Sequence, residues 1–332
     1  MIGNAKAGAD VSITGLGVKV PDRVVTNDEL SQYVDTSDEW IRERTGIRER
    51  RIASDTEALS DLALPATRDA LAMAGVDAKD VDLVIVATVT PDMMFPSTAA
   101  LVADAIGATD AAAYDLSAGC TGFMYALAQA YAMLAGGLAH RALVVGGDVL
   151  SRLFDWTDRS TLVLFGDGAG AVVLESAPQQ GFLGFELGAD GGGGESLWLP
   201  GSGSRNFAEA DRRIKMNGRE VFKFATRVLV QSAQDILAKA GLTIDDVDLY
   251  IPHQANVRII DHATRKLGVP SEKVVINVDR YGNTSSGSIP LGLADALADG
   301  RLQKGRLVLM TGMGAGLTWG SALMRWTMEA AA

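Results

Sequence analysis

Two stretches, "LAMAGVDAKDVDLVIV" (residues 71–86) and "LAKAGLTIDDVDLYIP" (residues 237–252), agree at nine of sixteen positions. They stand 166 residues apart, half the length of the 332-residue chain. Each reads as a helix end, a glycine stop (Gly75, Gly241), an Asp-bearing loop and a buried strand. A second echo, "RALVVGG" from Arg141 and "RLVLMTG" from Arg306, recurs at nearly the same shift. Common helix–turn–strand grammar can produce one such likeness. Two at one shift favour an internal duplication, in which two similar α/β halves pack together. The division is expected near Gln179–Gly181, giving halves 1–178 and 179–332.

Outward from the repeat, helical and strand-like patterns alternate. Strands are expected near 11–19, 82–89, 111–117, 141–147 and 169–176, then near 181–189, 247–252, 274–278, 305–311 and 317–326. Helices are expected near 58–74, 97–106 and 120–136, then near 217–240, 256–267 and 287–299. Buried apolar strands alternating with helices imply sheets covered by helices, an α/β fold. The Gly/Ser-rich run 189–205 reads as a long loop of the kind that lines sites.

Composition narrows the class. Hydrophobic residues make up 48% and charged residues 21%, as expected for a packed globular enzyme. A single cysteine excludes an intrachain disulfide framework and a CxxC metal or redox site, and fits a reducing cytosol. The opening "MIGNAKAGADV" has no basic n-region or apolar h-region. Residues 121–139 are uncharged, but alanine-rich with Gln129 and a Gly136-Gly137 stop, so a buried helix is expected there and no membrane association. The chain is therefore expected to be cytoplasmic. A net charge of −11 argues against nucleic-acid binding, and would repel an acidic partner unless basic residues gather locally.

Chemistry centres on Cys120 in "DLSAGCTGF" (115–123). The thiol sits where a strand passes into a helix, so a helix dipole is expected to lower its pKa, and its small neighbours leave room for a substrate. A small buried hydrophobe is the competing reading. Of the three histidines, His140 and His262 read as surface. His253 follows a strand, at the end where α/β sheets place ligand sites, and Asn256 lies just beyond it. "YGNTSSGSIP" (281–290) precedes a helix as "DLSAGC" does, so a pseudo-twofold would bring Asn283 and Cys120 toward one centre. A turn-forming or capping role for Asn283 stands equally open. The Gly-rich runs 166–174 and 312–320 lead into strands rather than helices, which fails the dinucleotide fingerprint and points to hairpin turns. No metal-ligand spacing is present.

Together, "TSDEWIRERTGIRERR", "DLSAGCTGF", "VDLYIPHQANVRII" and "DRYGNTSSGSIPLGL" resemble the β-ketoacyl-acyl-carrier-protein synthase III family over roughly residues 11–326. The resemblance implies a thiolase-like fold, two duplicated halves in a five-layered α/β/α/β/α sandwich, working as a homodimer. It implies decarboxylative condensation of a short acyl-CoA, acetyl-CoA foremost, with malonyl-acyl-carrier protein through an acyl-cysteine, initiating fatty-acid synthesis. Acyl-CoA is then a substrate, with no permanently bound cofactor and no metal. Cys120 is implied as nucleophile, His253 and Asn283 as enolate-stabilising donors, and the Cys120 and Ala315 N–H groups as oxyanion hole. Trp40, Arg44, Arg159 and Asn256 are implied as CoA and pantetheine contacts. Phe95 corresponds to a residue that reaches across the dimer into the partner's acyl pocket. Arg258, Arg265 and Lys266, spaced along one helix face, and Lys223 are implied to dock the acidic carrier protein.

The turn 312–320 departs from the family pattern. Met313 stands where a phenylalanine is common, and Ala315 where glycine is common, which bears on acyl choice. The alternatives are a related acyltransferase of secondary metabolism forming a ketide, ester or amide, and a catalytically silent carrier-protein-binding subunit. A thiolase would need a second catalytic cysteine, and long-chain elongating synthases use a second histidine where Asn283 stands.

Overall fold

The computed structural model describes residues 10–176, 181–201, 203–205 and 211–329. The expected boundary at 178/179 lies outside the described residues. One five-stranded sheet contains β1 (Val11–Lys19), β2 (Leu83–Ala87), β3 (Ala112–Leu116), β4 (Arg141–Asp148) and β5 (Gly168–Ser176), in the order β1-β5-β4-β2-β3. A four-stranded sheet contains β6 (Phe182–Ala189), β7 (Leu249–Pro252), β8 (Leu307–Gly314) and β9 (Thr318–Arg325), in the order β7-β8-β9-β6. Superposing β6 on β1, β9 on β5, β8 on β4 and β7 on β2 reproduces both the order and the direction of every pairing. The two duplicated stretches end in β2 and β7, and the second echo supplies β4 and β8. The repeat read in the sequence is a repeat of topology.

The principal helices described are α1 (Asp38–Thr45), α2 (Leu59–Ala74), α3 (Thr98–Ile106), α4 (Gly122–Ala135), α5 (Gly218–Ala240), α6 (Val257–Leu267) and α7 (Ser288–Ala298), of which α2 to α7 cover these sheets. Phe123 and Leu127 of α4 and Ile289 and Leu293 of α7 share one core with Ile85 of β2 and Met310 of β8, so this pair lies between the sheets. Outside the first sheet, Leu62 of α2 and Val102 of α3 pack on Val84 and Val86. Outside the second, Ile236 of α5 and Ile260 of α6 pack on Leu309 and Leu323. Five layers result. Alternation along β2, with Ile85 facing inward and Val84 and Val86 outward, explains why the strand is apolar throughout: both faces are covered.

Three expectations change. Residues 274–278 do not form a regular strand. Only Val274 bridges Tyr250, because the Asn277 and Val278 N–H groups donate to the Gln254 side chain instead of a ladder. The glycines of 166–174 are not a hairpin turn, since Gly168 and Gly170 lie within β5, which nineteen residues separate from the end of its partner β4. There they let the central helix layer come close: a Cβ on Gly170 would sit 2.6 Å from Pro290 Cβ. The run 312–320 is the expected hairpin, joining β8 to β9. The loop 189–205 carries a 3₁₀ turn (Gly191–Ser196) and a short strand, Leu197–Trp198, paired with Lys215–Met216. Among the described residues, no helix is long and apolar enough to cross a membrane.

Gly146 of β4 meets the second half directly, a Cβ there lying 2.4 Å from Ser286 O and 2.9 Å from Phe123. Gly146→Ala is expected to cost about 1–3 kcal/mol through overpacking. Gly184→Ala, where nothing lies within 4 Å, should stay within about 0.5 kcal/mol. Urea midpoints at equal slope measure both.

Candidate active site

Cys120 stands on a short turn, Gly119–Thr121, between β3 and α4. Gly119 has φ +58, and a Cβ there would lie 2.7 Å from Ala315 O. Across from it, a Cβ on Gly314 would lie 2.5 Å from the Cys120 nitrogen. The β8–β9 hairpin is thus pressed against the cysteine turn, and glycine is the residue type that permits the contact. The backbone N–H groups of Cys120 and Ala315 both bear on the sulfur and favour negative charge there.

His253 comes directly after β7, and its N–H donates to Thr311 O on β8 at 2.7 Å. Its Nδ1 lies 2.6 Å from Ser288 Oγ, while Nε2 is buried without a partner among the described residues. Assigning the Ser288 hydroxyl as donor leaves Nε2 protonated and free to donate. Burial pulls the His253 pKa down to about 4, so the ring is neutral near pH 7. Asn283 Oδ1 accepts from Ser285 N–H at 2.9 Å, which leaves the Nδ2 amide hydrogens for the cavity. Asn283 thus stabilises its turn with one end, and the other end lines the cavity.

A cavity of about 220 Å³ is lined by Cys120, His253, Asn283, Met313 and Gly314 at its buried end. Trp40, Arg44, Arg159 and Asn256 line the same cavity, with both arginines exposed to solvent. The guanidinium carbons of Arg44 and Arg159 lie 4.6 and 4.7 Å from the centre of the Trp40 ring. α1, which carries Trp40 and Arg44, is capped by Gly46 at φ 80. Asn256 caps α6 through Arg258 N–H and donates to Arg44 O at 3.1 Å, so it joins α6 to the rim. Leu197 and Met216 also line the cavity, which gives the 189–205 loop its place at the site.

Arg50 is a residue that sequence reasoning missed. It is wholly buried, and its guanidinium donates to Val25 O, Asn27 Oδ1 and Val163 O. Asn27 in turn donates to Asp38 at the start of α1. The cation thereby ties the Trp40 helix to the segment after Arg159. Burial lowers its pKa to about 10, and it stays charged at neutral pH. Within "RERR" no signal separated it from surface arginines.

The remaining predicted residues lie elsewhere. Arg258, Arg265 and Lys266 are exposed on α6, and Arg258 stands 5.9 Å from the Phe222 ring centre. Lys223 is exposed but pairs with Glu220 at 2.7 Å, so its charge is partly answered within the chain. Phe95 is 83% exposed, beside exposed Met93 and Met94, and does not line the cavity. His140 is exposed 3.7 Å from Asp82, and His262 is half-buried on α6. Among the described residues, no group of three His, Cys, Asp or Glu could hold a metal.

The thiol itself corrects an expectation. Burial pushes its pKa up to about 11, against the pull of the Ser285 hydroxyl and the backbone N–H groups and with a further push from the Asp148 charge. The helix start does not outweigh desolvation, so Cys120 and His253 rest as a neutral pair.

The family model for 3-oxoacyl-[acyl-carrier-protein] synthase III matches residues 114–191, and its C-terminal counterpart matches residues 237–326. A β-ketoacyl-[acyl-carrier-protein] synthase III of Symbiobacterium thermophilum is 54% identical over 95% of this chain and 98% of the relative. The chain belongs to the β-ketoacyl-[acyl-carrier-protein] synthase III family. The crystal structure of the Thermus thermophilus synthase III aligns with a TM-score of 0.91 at 50% identity, over 96% of this chain and all of that one. The priming β-ketosynthase of the R1128 polyketide pathway aligns with a TM-score of 0.92 at 36% identity, over 98% of this chain and 99% of that one. The thiolase-like sandwich of the synthase III family is therefore the fold of this chain.

With one thiol in the chain, iodoacetamide reports on Cys120 alone. In this synthase III the alkylation rate should rise about tenfold per pH unit from pH 7 to 10, since the thiolate fraction grows until the pKa is reached. A plateau below pH 8 would contradict a raised thiol pKa.

Proposed function

We propose that this condensing acyltransferase takes a short acyl group from acyl-CoA onto Cys120 and extends it with malonyl-acyl-carrier protein to a 3-oxoacyl product. The observation that carries the reading is the convergence of one thiol, one unpartnered imidazole N–H and one free amide on a single buried cavity end. Acyl transfer is proton-neutral overall. The Cys120 sulfur attacks the thioester carbonyl, the bond to the CoA sulfur breaks, and the proton lost by Cys120 ends on CoA. The Cys120 and Ala315 N–H groups hold the tetrahedral oxyanion. In the second half, the bond to the malonyl carboxylate breaks, carbon dioxide leaves, and its electron pair remains as an enolate. Nε2–H of His253 and Nδ2 of Asn283 hold the enolate oxygen; its carbon attacks the acyl carbonyl, the bond to the Cys120 sulfur breaks, and the departing thiolate takes up a proton from solvent to restore the thiol. Decarboxylation itself generates the nucleophile, so two neutral donors meet the requirement.

Trp40, Arg44 and Arg159 offer a ring and two cations at the open end, suited to the adenine and phosphates of CoA. Asn256 would contact the pantetheine arm. The exposed basic residues of α6, aided by Lys223, would receive the acidic carrier protein despite the net charge of −11. Exposed Met93, Met94 and Phe95 would be covered in a homodimer, placing Phe95 at the partner's acyl pocket. Met313, replacing the common phenylalanine, and Ala315 would shape the acyl pocket. Primary fatty-acid initiation is preferred to secondary metabolism because identity to the Symbiobacterium thermophilum synthase III is 54% and to the polyketide priming enzyme 36%.

Intact mass after mixing with acetyl-CoA should show an acetyl adduct that Cys120→Ala abolishes. No adduct with acetyl-, branched or longer acyl-CoAs would sink the first half-reaction. His253→Ala and Asn283→Ala should each slow malonyl-carrier decarboxylation about 10²- to 10³-fold, and normal condensation in both would overturn their roles. Arg159→Ala should weaken acyl-CoA use roughly 2- to 30-fold through KM. Its malonyl-carrier decarboxylation should be unchanged, because the carrier arm has no adenine.

A further inference from the structure

Ser285 is the one described residue other than glycine with positive φ, at +52. That conformation costs an L residue of this kind on the order of 1 kcal/mol or more. Its side chain is 1% exposed, and its hydroxyl has no ordinary hydrogen bond among the described residues. A strained backbone and a buried hydroxyl that makes no hydrogen bond of ordinary geometry are two separate costs at one position. The chain around it is fully engaged: Ser285 N–H holds Asn283 Oδ1, while Ser286 Oγ donates to Ala87 O at 2.8 Å and to Asp148 Oδ2 at 3.0 Å. The Ser285–Gly287 turn packs directly on the Gly119–Thr121 turn that bears Cys120.

We propose that the Ser285 hydroxyl is a further catalytic group, which donates a hydrogen bond to the Cys120 sulfur as negative charge develops on it during acyl transfer. At rest the thiol is neutral and the hydroxyl needs no tight contact with it. Once the sulfur gives up its proton, an O–H donor beside a thiolate in a dry site becomes strongly favourable. The hydroxyl already acts on the thiol in the direction this requires, opposing the effect of burial. The other groups bearing on the sulfur are the Asp148 carboxylate at the end of β4, which opposes the thiolate, and the backbone N–H groups of Cys120 and Ala315, which favour it. His253 is neutral, and Asn283 carries no charge. Ser285 is the one side chain among these that supplies a donor to the sulfur. No oxidant or co-reactant is involved, and the proton still passes from Cys120 to CoA.

The inference rests on Cys120 being the nucleophile, and two variants test it. Ser285→Gly removes the hydroxyl and relieves the positive φ, so it should fold at least as stably as the parent. Ser285→Ala removes the hydroxyl and keeps the strain. Both should lower the iodoacetamide alkylation rate of Cys120 at pH 8, and the acyl transfer rate from acetyl-CoA, about 10- to 100-fold. The alkylation pH profile should move to higher pH by about one to two units. Malonyl-carrier decarboxylation should stay within about twofold, because the backbone N–H that orients Asn283 remains. Ser285→Thr, if it folds, should retain more reactivity than Ser285→Ala. Parent-like alkylation and acyl transfer in Ser285→Gly would overturn the role. So would a loss of both half-reactions together in a stably folded variant, since that would mark a merely structural residue. Failure of the parent itself to take an acyl group would instead sink the reading of the whole site.

Discussion

The close approach of two backbones at Gly119 and Gly314 is the constraint on which the site depends. One segment belongs to the first half and the other to the second, and a Cβ at either glycine would collide with backbone of its neighbour. Without that contact the Ala315 N–H would not reach the Cys120 sulfur, and the β8–β9 hairpin would stand off from the cysteine turn. The same economy recurs nearby, where Gly146 and Gly170 admit Ser286 and Pro290 from the other half. Small residues at the seam bring two halves of duplicated topology near enough for groups from both to act on one atom.

Burial then sets the chemistry. The buried end of the cavity holds a thiol shifted up to about 11 and an imidazole shifted down to about 4, so neither is charged near neutral pH. A site built this way does not store a thiolate–imidazolium pair. It keeps fixed donors in a dry pocket and lets charge form only when substrate arrives, which is where electrostatic preorganisation is most effective. The open end is different in kind, with exposed guanidinium groups about an indole ring, and buried Arg50 bracing the helix and segment that carry them. One cavity thus joins a charged rim to a neutral floor.

Much of this was legible in the chain. The nine-of-sixteen repeat located two strands at equivalent places, and helix ends followed from Gly75 and Gly241, both at positive φ. Cys120, His253 and Asn283 stood out because each sits beside a strand end or helix start. Elsewhere local patterns misled. Residues 274–278 have the composition of a strand, but the side chain of Gln254, 23 residues before Asn277, takes the N–H groups of Asn277 and Val278. The glycines of 166–174 look like a turn because glycine usually marks one, whereas here they clear space for Pro290.

By itself the sequence determined the duplicated α/β plan, the lone thiol and the candidate residues near it, because those follow from periodicity, helix punctuation and residue type. Only the tertiary structure decided the protonation of the site, the orientation of Asn283, the bracing by Arg50 and the strained Ser285. Each of these depends on burial and on partners distant in the chain, and neither quantity is a property of a local stretch of residues.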